Sequence, residues 1–204
     1  MTSPSLKIWL MAIRPKTLYA AVAPVFIGTM MAFSDGVHNF LTATIALIGA
    51  LSIQILTNLT NDYYDFKKGA DTKDRIGPPR VMASGLLTPR QITTAIGLTI
   101  MIAVLASIYL IYKGGTPIAI IAAVSLAAAF LYTAGPAPLG YLGLGEVFVI
   151  IFFGPVAVAG TYYVQSLELN HAVIWAGVAP GFLSAAVLAV NNIRDYETDK
   201  AANK

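Results

Sequence analysis

Long runs without a charged residue restrict the possible folds of this chain more than any other feature. A helix needs roughly 20 apolar residues, at about 1.5 Å rise each, to cross a hydrocarbon layer of about 30 Å. These runs are continuously apolar and do not alternate at every second residue, which excludes a membrane β-barrel. Six of them hold at least 18 residues each, namely 17–34, 36–61, 91–112, 114–145, 147–167 and 169–193. The sequence therefore predicts an all-α, polytopic membrane bundle with six transmembrane helices near 17–33, 40–60, 91–112, 117–133, 146–164 and 172–190.

Composition supports a membrane protein and excludes several kinds of catalytic and metal site. Hydrophobic residues make up 57% of the chain and charged residues 11%, whereas soluble domains carry about 25% charge. The chain has no cysteine, so disulfides, thiolate catalysis, zinc-thiolate and iron-sulfur sites are excluded. Two isolated histidines, His38 and His171, do not favour a histidine metal site. Residues 4–13 predict a short interfacial helix with Trp9 near the lipid headgroups.

The basic residues predict the orientation of the chain, because cytoplasmic loops hold an excess of Lys and Arg. On this basis both termini and the loop at 61–90 are expected in the cytoplasm, and only Lys113 falls on the opposite side. The net charge of +3 then reflects orientation and attraction to anionic lipid, and it gives no support to nucleic-acid binding. Of the 13 basic residues, 12 lie on the predicted cytoplasmic side, namely Lys7, Arg14, Lys16, Lys67, Lys68, Lys73, Arg75, Arg80, Arg90, Arg194, Lys200 and Lys204.

Acidic and amide residues cluster in two places on that same side. Asn58, Asp62 and Asp65 are spaced i, i+4, i+7, which puts them within about 60° of one another on one helix face. The first group is the end of the second predicted helix, and the second group is the end of the sixth. The full first group is Asn58, Asn61, Asp62, Asp65 and Asp71, and the second is Asn191, Asn192, Asp195 and Asp199.

This pattern is typical of a magnesium and diphosphate site. Magnesium prefers one or two carboxylates together with water and phosphate oxygens, so each cluster could hold one ion. Such ions would neutralise charge that develops on a diphosphate leaving group. Apolar helices beyond the site favour a substrate with a hydrocarbon tail. Basic side chains that could add charge-assisted hydrogen bonds are Lys73, Arg75, Arg80 and Lys200.

The motifs resemble those of a known family, the UbiA-type intramembrane aromatic prenyltransferases. The resemblance rests on RPKTL at 14–18, QILTNLTNDYYDFKKGAD at 54–71, DRIGPPR at 74–80, YTAGPAPLGYLGLGE at 132–146 and NNIRDYETD at 191–199. It implies that Asp62, Asp65, Asp195 and Asp199 bind magnesium and a prenyl diphosphate, with Asp71 as a further metal ligand. Within the family, the likeness is greatest to the branch that prenylates 1,4-dihydroxy-2-naphthoate with loss of its carboxylate.

The same resemblance implies a larger enzyme and leaves other possibilities open. Family members usually have about nine helices, so this chain is expected to correspond to roughly the first two thirds. Another aromatic acceptor, such as 4-hydroxybenzoate or homogentisate, remains an alternative, as do a cation transporter and a non-catalytic membrane scaffold. Asp and Asn at helix ends are also often caps or solvated charges. Weaker candidates for contact with the prenyl or aromatic group are Gln54, Tyr132, Tyr141 and Glu146.

Overall fold

The computed structural model describes residues 4–69, 77–135, 138–140 and 143–201, with the backbone alone for Thr198, Asp199 and Ala201. Regular structure in these ranges is helical, as predicted. The helices are α1 (Leu6–Ile13), α2 (Pro15–Ser34), α3 (Phe40–Lys68), α4 (Pro89–Leu131), α5 (Gly145–Phe152), α6 (Pro155–Ser166), α7 (His171–Ala176) and α8 (Val178–Ala201).

Helix α4 is long because it contains two membrane spans joined at a sharp break. Gly115 interrupts it with φ 64° and ψ −151°, a conformation that a residue with a Cβ rarely adopts. Within the described ranges, five helical stretches have the length and composition to cross a membrane, namely Pro15–Ser34, Phe40–Lys68, Pro89–Leu131, Gly145–Ser166 and His171–Glu197.

Contacts with α3 show that the chain reverses at this break. Ile92 belongs to a buried cluster with Leu59, near the carboxyl end of α3. The Tyr109 hydroxyl lies 3.1 Å from that of Thr42, near the amino end of α3. Thr60 then donates to the carbonyl oxygen of Ala129 at 3.1 Å, back at the carboxyl end. The 43-residue helix is therefore an antiparallel pair, and the six predicted spans are confirmed.

The structure corrects the predicted end of the second span. A loop was expected from residue 61, but α3 continues to Lys68 and ends at Gly69, which is left-handed with φ 72°. Lys67 and Lys68 occupy the last turn, where cations interact favourably with the helix dipole. The members of the first acidic group from Asn58 to Asp65 therefore lie on one continuous helix, as their spacing predicts. We call the end of the bundle that holds this carboxyl end of α3 the motif end.

The fifth and sixth spans are each broken where their backbones meet. A Cβ added to Gly154, between α5 and α6, would lie 2.3 Å from the Ile150 carbonyl oxygen and 2.6 Å from that of Gly177. Gly177 itself separates α7 from α8, and a Cβ there would lie 2.5 Å from Pro155 Cα. Only glycine permits this approach of the two backbones. Pro155, which follows Gly154 and has no backbone N–H, also interrupts the fifth span at this point.

The described residues before α4, 77–88, are held against the motif end by a hydrophobic core. Thr88 is the N-cap of α4 in a capping box with Gln91, and Pro89 begins the helix, as the sequence predicts. The short helix predicted over residues 4–13 is also present, as α1. The cluster consists of Ala12, Leu59, Val81, Met82, Leu87 and Ile92.

Candidate functional site

Two carboxylates of the first motif are buried on α3. Asp62 and Asp65 are each 1% exposed and lie about one turn apart. Asp62 Oδ2 accepts a hydrogen bond from the backbone N–H of Val81 at 3.3 Å. Val81 belongs to the core cluster described above, so packing of the connecting segment fixes this donor beside the carboxylate. Buried charges of this kind are rare unless they are bound to a partner or an ion.

One turn earlier, an amide network joins α3 to the start of α2. Asn58 Nδ2 donates to the Ile13 carbonyl oxygen at 2.8 Å and to Thr17 Oγ1 at 2.9 Å. Thr17 in turn donates to the carbonyl oxygen of Arg14 at 3.0 Å. Arg14 is left-handed, with φ 52° and ψ 73°, which is unfavourable for a residue other than glycine, by about 1–3 kcal/mol. The network holds this strained junction in place.

A cavity of about 520 Å³ begins at these residues and extends between the helices. Its wall is mostly apolar, and its aromatic members include Phe148 and Phe152, whose rings stack with centroids 5.8 Å apart. Predicted site residues on the wall are Gln54, Asn58, Asn61, Tyr132 and Asn191. Arg14 and Lys16 also line it, although their sequence pattern indicated only membrane orientation. The RPKTL motif at 14–18 contains both residues, but its sequence does not show that Arg14 and Lys16 would line a cavity.

The segment after α4 lines part of the cavity and also contacts the first motif. Lys68 Nζ donates to the Thr133 carbonyl oxygen at 2.8 Å, and the Thr133 hydroxyl donates to Asn61 Oδ1. Tyr132 lies close to two glycines: a Cβ on Gly145 would meet its hydroxyl at 3.0 Å. The other is Gly140, where a Cβ would lie 3.1 Å from the Tyr132 carbonyl oxygen. The glycines of this segment therefore make room for a cavity-lining tyrosine.

The second motif lies on α8 at the same end of the bundle. Asp195 is 6% exposed and accepts two hydrogen bonds of 2.8 Å from the guanidinium of Arg194. Asn192 Nδ2 donates to Glu146 Oε1 at 2.8 Å, which connects α8 to the first turn of α5. Glu146 therefore contacts the second motif and is not among the cavity-lining residues, where a weak role had been predicted.

The other predicted residues fall outside the cavity wall or outside the described ranges. Asp62, Asp65, Asp195, Asn192 and Arg80 do not line the cavity, and Lys200 is exposed with its Nζ 5.7 Å from the Tyr196 ring centroid. Outside the described residues lie Asp71, Lys73, Arg75, Tyr141 and the side chain of Asp199.

The described carboxylates are of the oxygen-ligand type that magnesium prefers. They are too few to surround the ion by themselves. Among the described residues, no group of three or more His, Asp or Glu side chains could hold a metal ion. Magnesium usually requires only one or two carboxylates and takes its remaining oxygens from water and substrate phosphate. Asp62 and Asp65 are two buried carboxylates of the kind that magnesium takes as ligands, and they follow Asn58, which lines the cavity, on the same helix.

Comparison with known proteins places these features in a family. The profile of the UbiA prenyltransferase family matches residues 21–204. A 1,4-dihydroxy-2-naphthoate octaprenyltransferase of Escherichia coli is 40% identical over 202 residues, which cover 96% of this chain and 66% of the relative. A protein of the same description from Mycobacterium tuberculosis is 41% identical over 196 residues, covering 96% and 67%.

A more distant relative carries a different description. A 2-carboxy-1,4-naphthoquinone phytyltransferase of Synechocystis is 30% identical over 202 residues, which cover 97% of this chain and 64% of the relative. The chain thus spans about two thirds of the length of these relatives.

Proposed function

This chain belongs to the UbiA prenyltransferase family, and from that premise we propose that it transfers a polyprenyl group to 1,4-dihydroxy-2-naphthoate. The donor is a prenyl diphosphate. The carbon–oxygen bond to diphosphate breaks, an electron-rich ring carbon forms the new bond, and the ring loses its carboxylate as carbon dioxide. The product is a demethylmenaquinone-type quinol. Relatives described as 1,4-dihydroxy-2-naphthoate octaprenyltransferases support the choice of acceptor.

The observation that carries this proposal is a cavity with cationic and amide side chains on the wall near the motif end and an apolar wall elsewhere. Arg14, Lys16 and Asn58 line the part near the motif end. Beyond them the wall is formed mainly by aliphatic and aromatic side chains between the membrane spans. A prenyl diphosphate likewise has a charged head and a hydrocarbon tail. Its head would therefore lie against the cationic and amide side chains, and its tail against the apolar wall.

The diphosphate head is assigned to the part of the cavity beside the first motif. Arg14 and Lys16 supply positive charge, and Asn61, whose Oδ1 accepts from Thr133, supplies its amide nitrogen as a donor on the same wall. The Asn58 amide protons are used within the protein, on Ile13 and Thr17. Asp62 lies one turn beyond Asn58, so Asp62 and Asp65 are the residues that would hold magnesium. Magnesium bound there would supply charge neutralisation for the diphosphate as it leaves. The second motif contributes Asn191, which also lines the cavity, and Asp195 on the next turn of α8.

The apolar wall protects the reactive carbon of the prenyl group. Loss of diphosphate leaves an allylic cation, which water would convert to an alcohol, so exclusion of water favours transfer to the ring. Phe148 and Phe152 are aromatic residues of the wall. An aromatic ring near a cation contributes about 0.5–2 kcal/mol, more where water is absent. These side chains thus stabilise the cation without reacting with it.

The protein is a multi-pass membrane protein, and we assign its motif end to the cytoplasmic face of a bacterial-type inner membrane. Basic residues at that end include Arg14, Lys16 and Lys68, as the positive-inside rule requires of a cytoplasmic face. The prenyl tail then extends into the hydrocarbon layer, while the diphosphate enters and leaves at the aqueous surface.

Cation transport is the less favoured alternative. A transport path through a membrane usually carries ionisable residues that bind the ion. Over the described part of the chain, no Asp or Glu lines the cavity, whose charged members are Arg14 and Lys16. Such a wall repels a cation and attracts an anion.

The proposal is tested with membranes that contain this chain, a prenyl diphosphate and either 1,4-dihydroxy-2-naphthoate or 4-hydroxybenzoate. Mass spectrometry should detect prenylated product from the naphthoate alone, and a magnesium chelator should abolish it. Product from 4-hydroxybenzoate alone would show that this compound, and not the naphthoate, is the acceptor. Absence of product from both would contradict prenyl transfer by this chain.

A further inference from the structure

The backbone of Arg14 has an unfavourable conformation at the cavity wall. Within the described ranges, two residues other than glycine have a positive φ, Arg14 at 52° and Leu167 at 61°. Leu167 is exposed and does not line the cavity, whereas Arg14 lines the cavity and is partly exposed. Glycine would adopt this conformation without the steric cost that a Cβ brings. Contacts around Arg14 must therefore maintain the conformation.

Hydrogen bonds fix the peptide groups on both sides of the Arg14 Cα atom. In the preceding peptide, the Ile13 carbonyl oxygen accepts from Asn58 Nδ2 at 2.8 Å. In the following peptide, the Arg14 carbonyl oxygen accepts from Thr17 Oγ1 at 3.0 Å and from the Thr17 backbone N–H at 2.9 Å. Peptide groups are planar, and φ and ψ are the rotations between two successive planes. Both angles of Arg14 are therefore held from outside the residue.

Asn58 connects these two sets of hydrogen bonds. Besides its bond to Ile13, its Nδ2 atom donates to Thr17 Oγ1 at 2.9 Å. Asn58 is 3% exposed, and both protons of its amide are used in this way within the protein. It has no proton left to donate to a diphosphate and carries no charge. Any contribution to the binding of an anion must then come through the residues that Asn58 holds.

The residue held most directly is the cation at the junction of α1 and α2. Arg14 is both the C-cap of α1 and the N-cap of α2, and Pro15 begins α2. Ala12 anchors α1 in the core cluster at the motif end. With both flanking helices packed, the left-handed conformation determines the direction in which the Arg14 side chain leaves the backbone. In this conformation Arg14 lines the cavity.

We propose that Asn58 is a positioning residue for Arg14. Together with Thr17 it holds Arg14 in the left-handed conformation, and so directs the guanidinium to the diphosphate of the prenyl donor. The inference rests on the proposed function, since it takes the prenyl diphosphate as given. It gives Asn58 a role different from the direct contact with diphosphate that the sequence pattern predicts.

The test is a double-mutant cycle between Asn58 and Arg14, measured by isothermal titration calorimetry on the detergent-solubilised chain. The proteins are wild type, Asn58→Leu, Arg14→Ala and the double variant. The probe is farnesyl diphosphate with magnesium and without an aromatic acceptor, and farnesol, which lacks the diphosphate, is the control ligand. Ser52→Ala is the matched control variant, since Ser52 is buried on the same helix, outside the cavity wall, and donates to Ile48 within α3.

Each single substitution should weaken the binding of farnesyl diphosphate by about tenfold, the effect expected from loss of one charge-assisted hydrogen bond. The double variant should also lose about tenfold, because Asn58 has nothing to position once the Arg14 side chain is absent. Farnesol binding, and all binding by Ser52→Ala, should stay within about twofold of wild type. A loss of about 100-fold in the double variant would overturn the inference, since the two residues would then act independently. An equal loss of farnesol binding in Asn58→Leu would also overturn it, because that result indicates a general structural role.

A second pair of variants, at Thr17, remains informative if Asn58→Leu does not fold. Thr17→Ser keeps the hydroxyl that accepts from Asn58 and donates to Arg14, so its affinity for farnesyl diphosphate should stay within about twofold of wild type. Thr17→Val keeps the shape and removes the hydroxyl, so it should lose about tenfold, and should lose nothing further when combined with Arg14→Ala. Wild-type affinity of Thr17→Val, or an equal loss in Thr17→Ser, would overturn the inference.

Kinetics separate this inference from the proposed function. Asn58→Leu should raise KM for farnesyl diphosphate and leave KM for the naphthoate within about twofold. The expected coupling in the binding cycle, without product from any acceptor, would contradict the function and support the role of Asn58. Product formation by Asn58→Leu with an unchanged KM for farnesyl diphosphate would overturn the role of Asn58 and leave the function standing.

Discussion

Asn192 and Glu146, which are 46 residues apart, are joined by a 2.8 Å hydrogen bond from Nδ2 to Oε1. The bond connects α8, which carries the second acidic motif, to the start of α5. The preceding segment is bonded to the first motif through Thr133 and Asn61. The two motifs are thus connected through the segment between α4 and α5, although they belong to distant parts of the sequence.

Replacement of Glu146 by Ala should weaken prenyl diphosphate binding by loosening the second motif. A lost hydrogen bond to a charged group corresponds to about 1.5–3 kcal/mol when buried, and Asn192 is exposed, so we expect a loss of about fivefold. Glu146→Gln is the control, because its amide oxygen still accepts from Asn192. Equal losses in both variants would contradict a positioning role. Affinity is measured by titration with a prenyl diphosphate in magnesium.

Asp62→Asn combined with Asp195→Asn should abolish magnesium-dependent binding of a prenyl diphosphate. Mutation of a residue that only contacts a metal ligand typically costs 10- to 100-fold in affinity, so removal of two proposed ligands should cost at least about 100-fold. Binding is compared with and without magnesium. The control is Asp35→Asn, since Asp35 accepts from the Tyr162 hydroxyl at 2.7 Å near the far end of α2. Unchanged magnesium dependence in the double variant would contradict the assigned site.

Gly154→Ala should destabilise the bundle strongly. The new Cβ would lie 2.3 Å from the Ile150 carbonyl oxygen and 2.6 Å from that of Gly177, and backbone atoms cannot move aside as a side chain can. Overpacking typically costs 1–3 kcal/mol, and we expect about 3 kcal/mol here. Gly97→Ala is the matched control, with nothing within 4 Å of the added Cβ. Thermal unfolding in detergent should show a lower Tm for Gly154→Ala only.

Phe148→Leu should lower kcat and leave KM for the prenyl diphosphate nearly unchanged. Leucine keeps the wall apolar but removes the aromatic face, which acts on a cation that exists only after ionisation. A cation–π contribution of about 0.5–2 kcal/mol corresponds to a decrease of about 2- to 30-fold. Phe26→Leu is the control, because Phe26 is 64% exposed and does not line the cavity. A rise in KM without loss of kcat would indicate a packing role.

Hydropathy was sufficient to predict the six spans, because each apolar run is long enough to cross a membrane. Helical spacing similarly predicted that Asn58 and Asp62 would share a face of α3. These properties depend on local sequence, as does the N-cap at Thr88. They required no knowledge of how the helices pack.

Features that depend on contact between distant segments were not predictable in the same way. The Gly154–Pro155 pair marks a break in the sequence, but the close approach of Gly154 to Gly177 depends on packing between distant segments. Arg14 and Lys16 indicated only orientation until packing of α2 against α3 placed them on a cavity wall. The bond between Asn192 and Glu146 likewise depends on the approach of α8 to α5.

The most direct test of prenyl transfer with decarboxylation uses 1,4-dihydroxy-2-naphthoate labelled with carbon-13 in its carboxylate. Membranes containing this chain are incubated with the labelled acceptor, a prenyl diphosphate and magnesium, and labelled carbon dioxide is measured beside the prenylated naphthoquinol. The proposed function predicts that both appear together in a one-to-one ratio and only when the prenyl diphosphate is present. Release of label without the diphosphate, or a prenylated product that retains the labelled carboxylate, would contradict it.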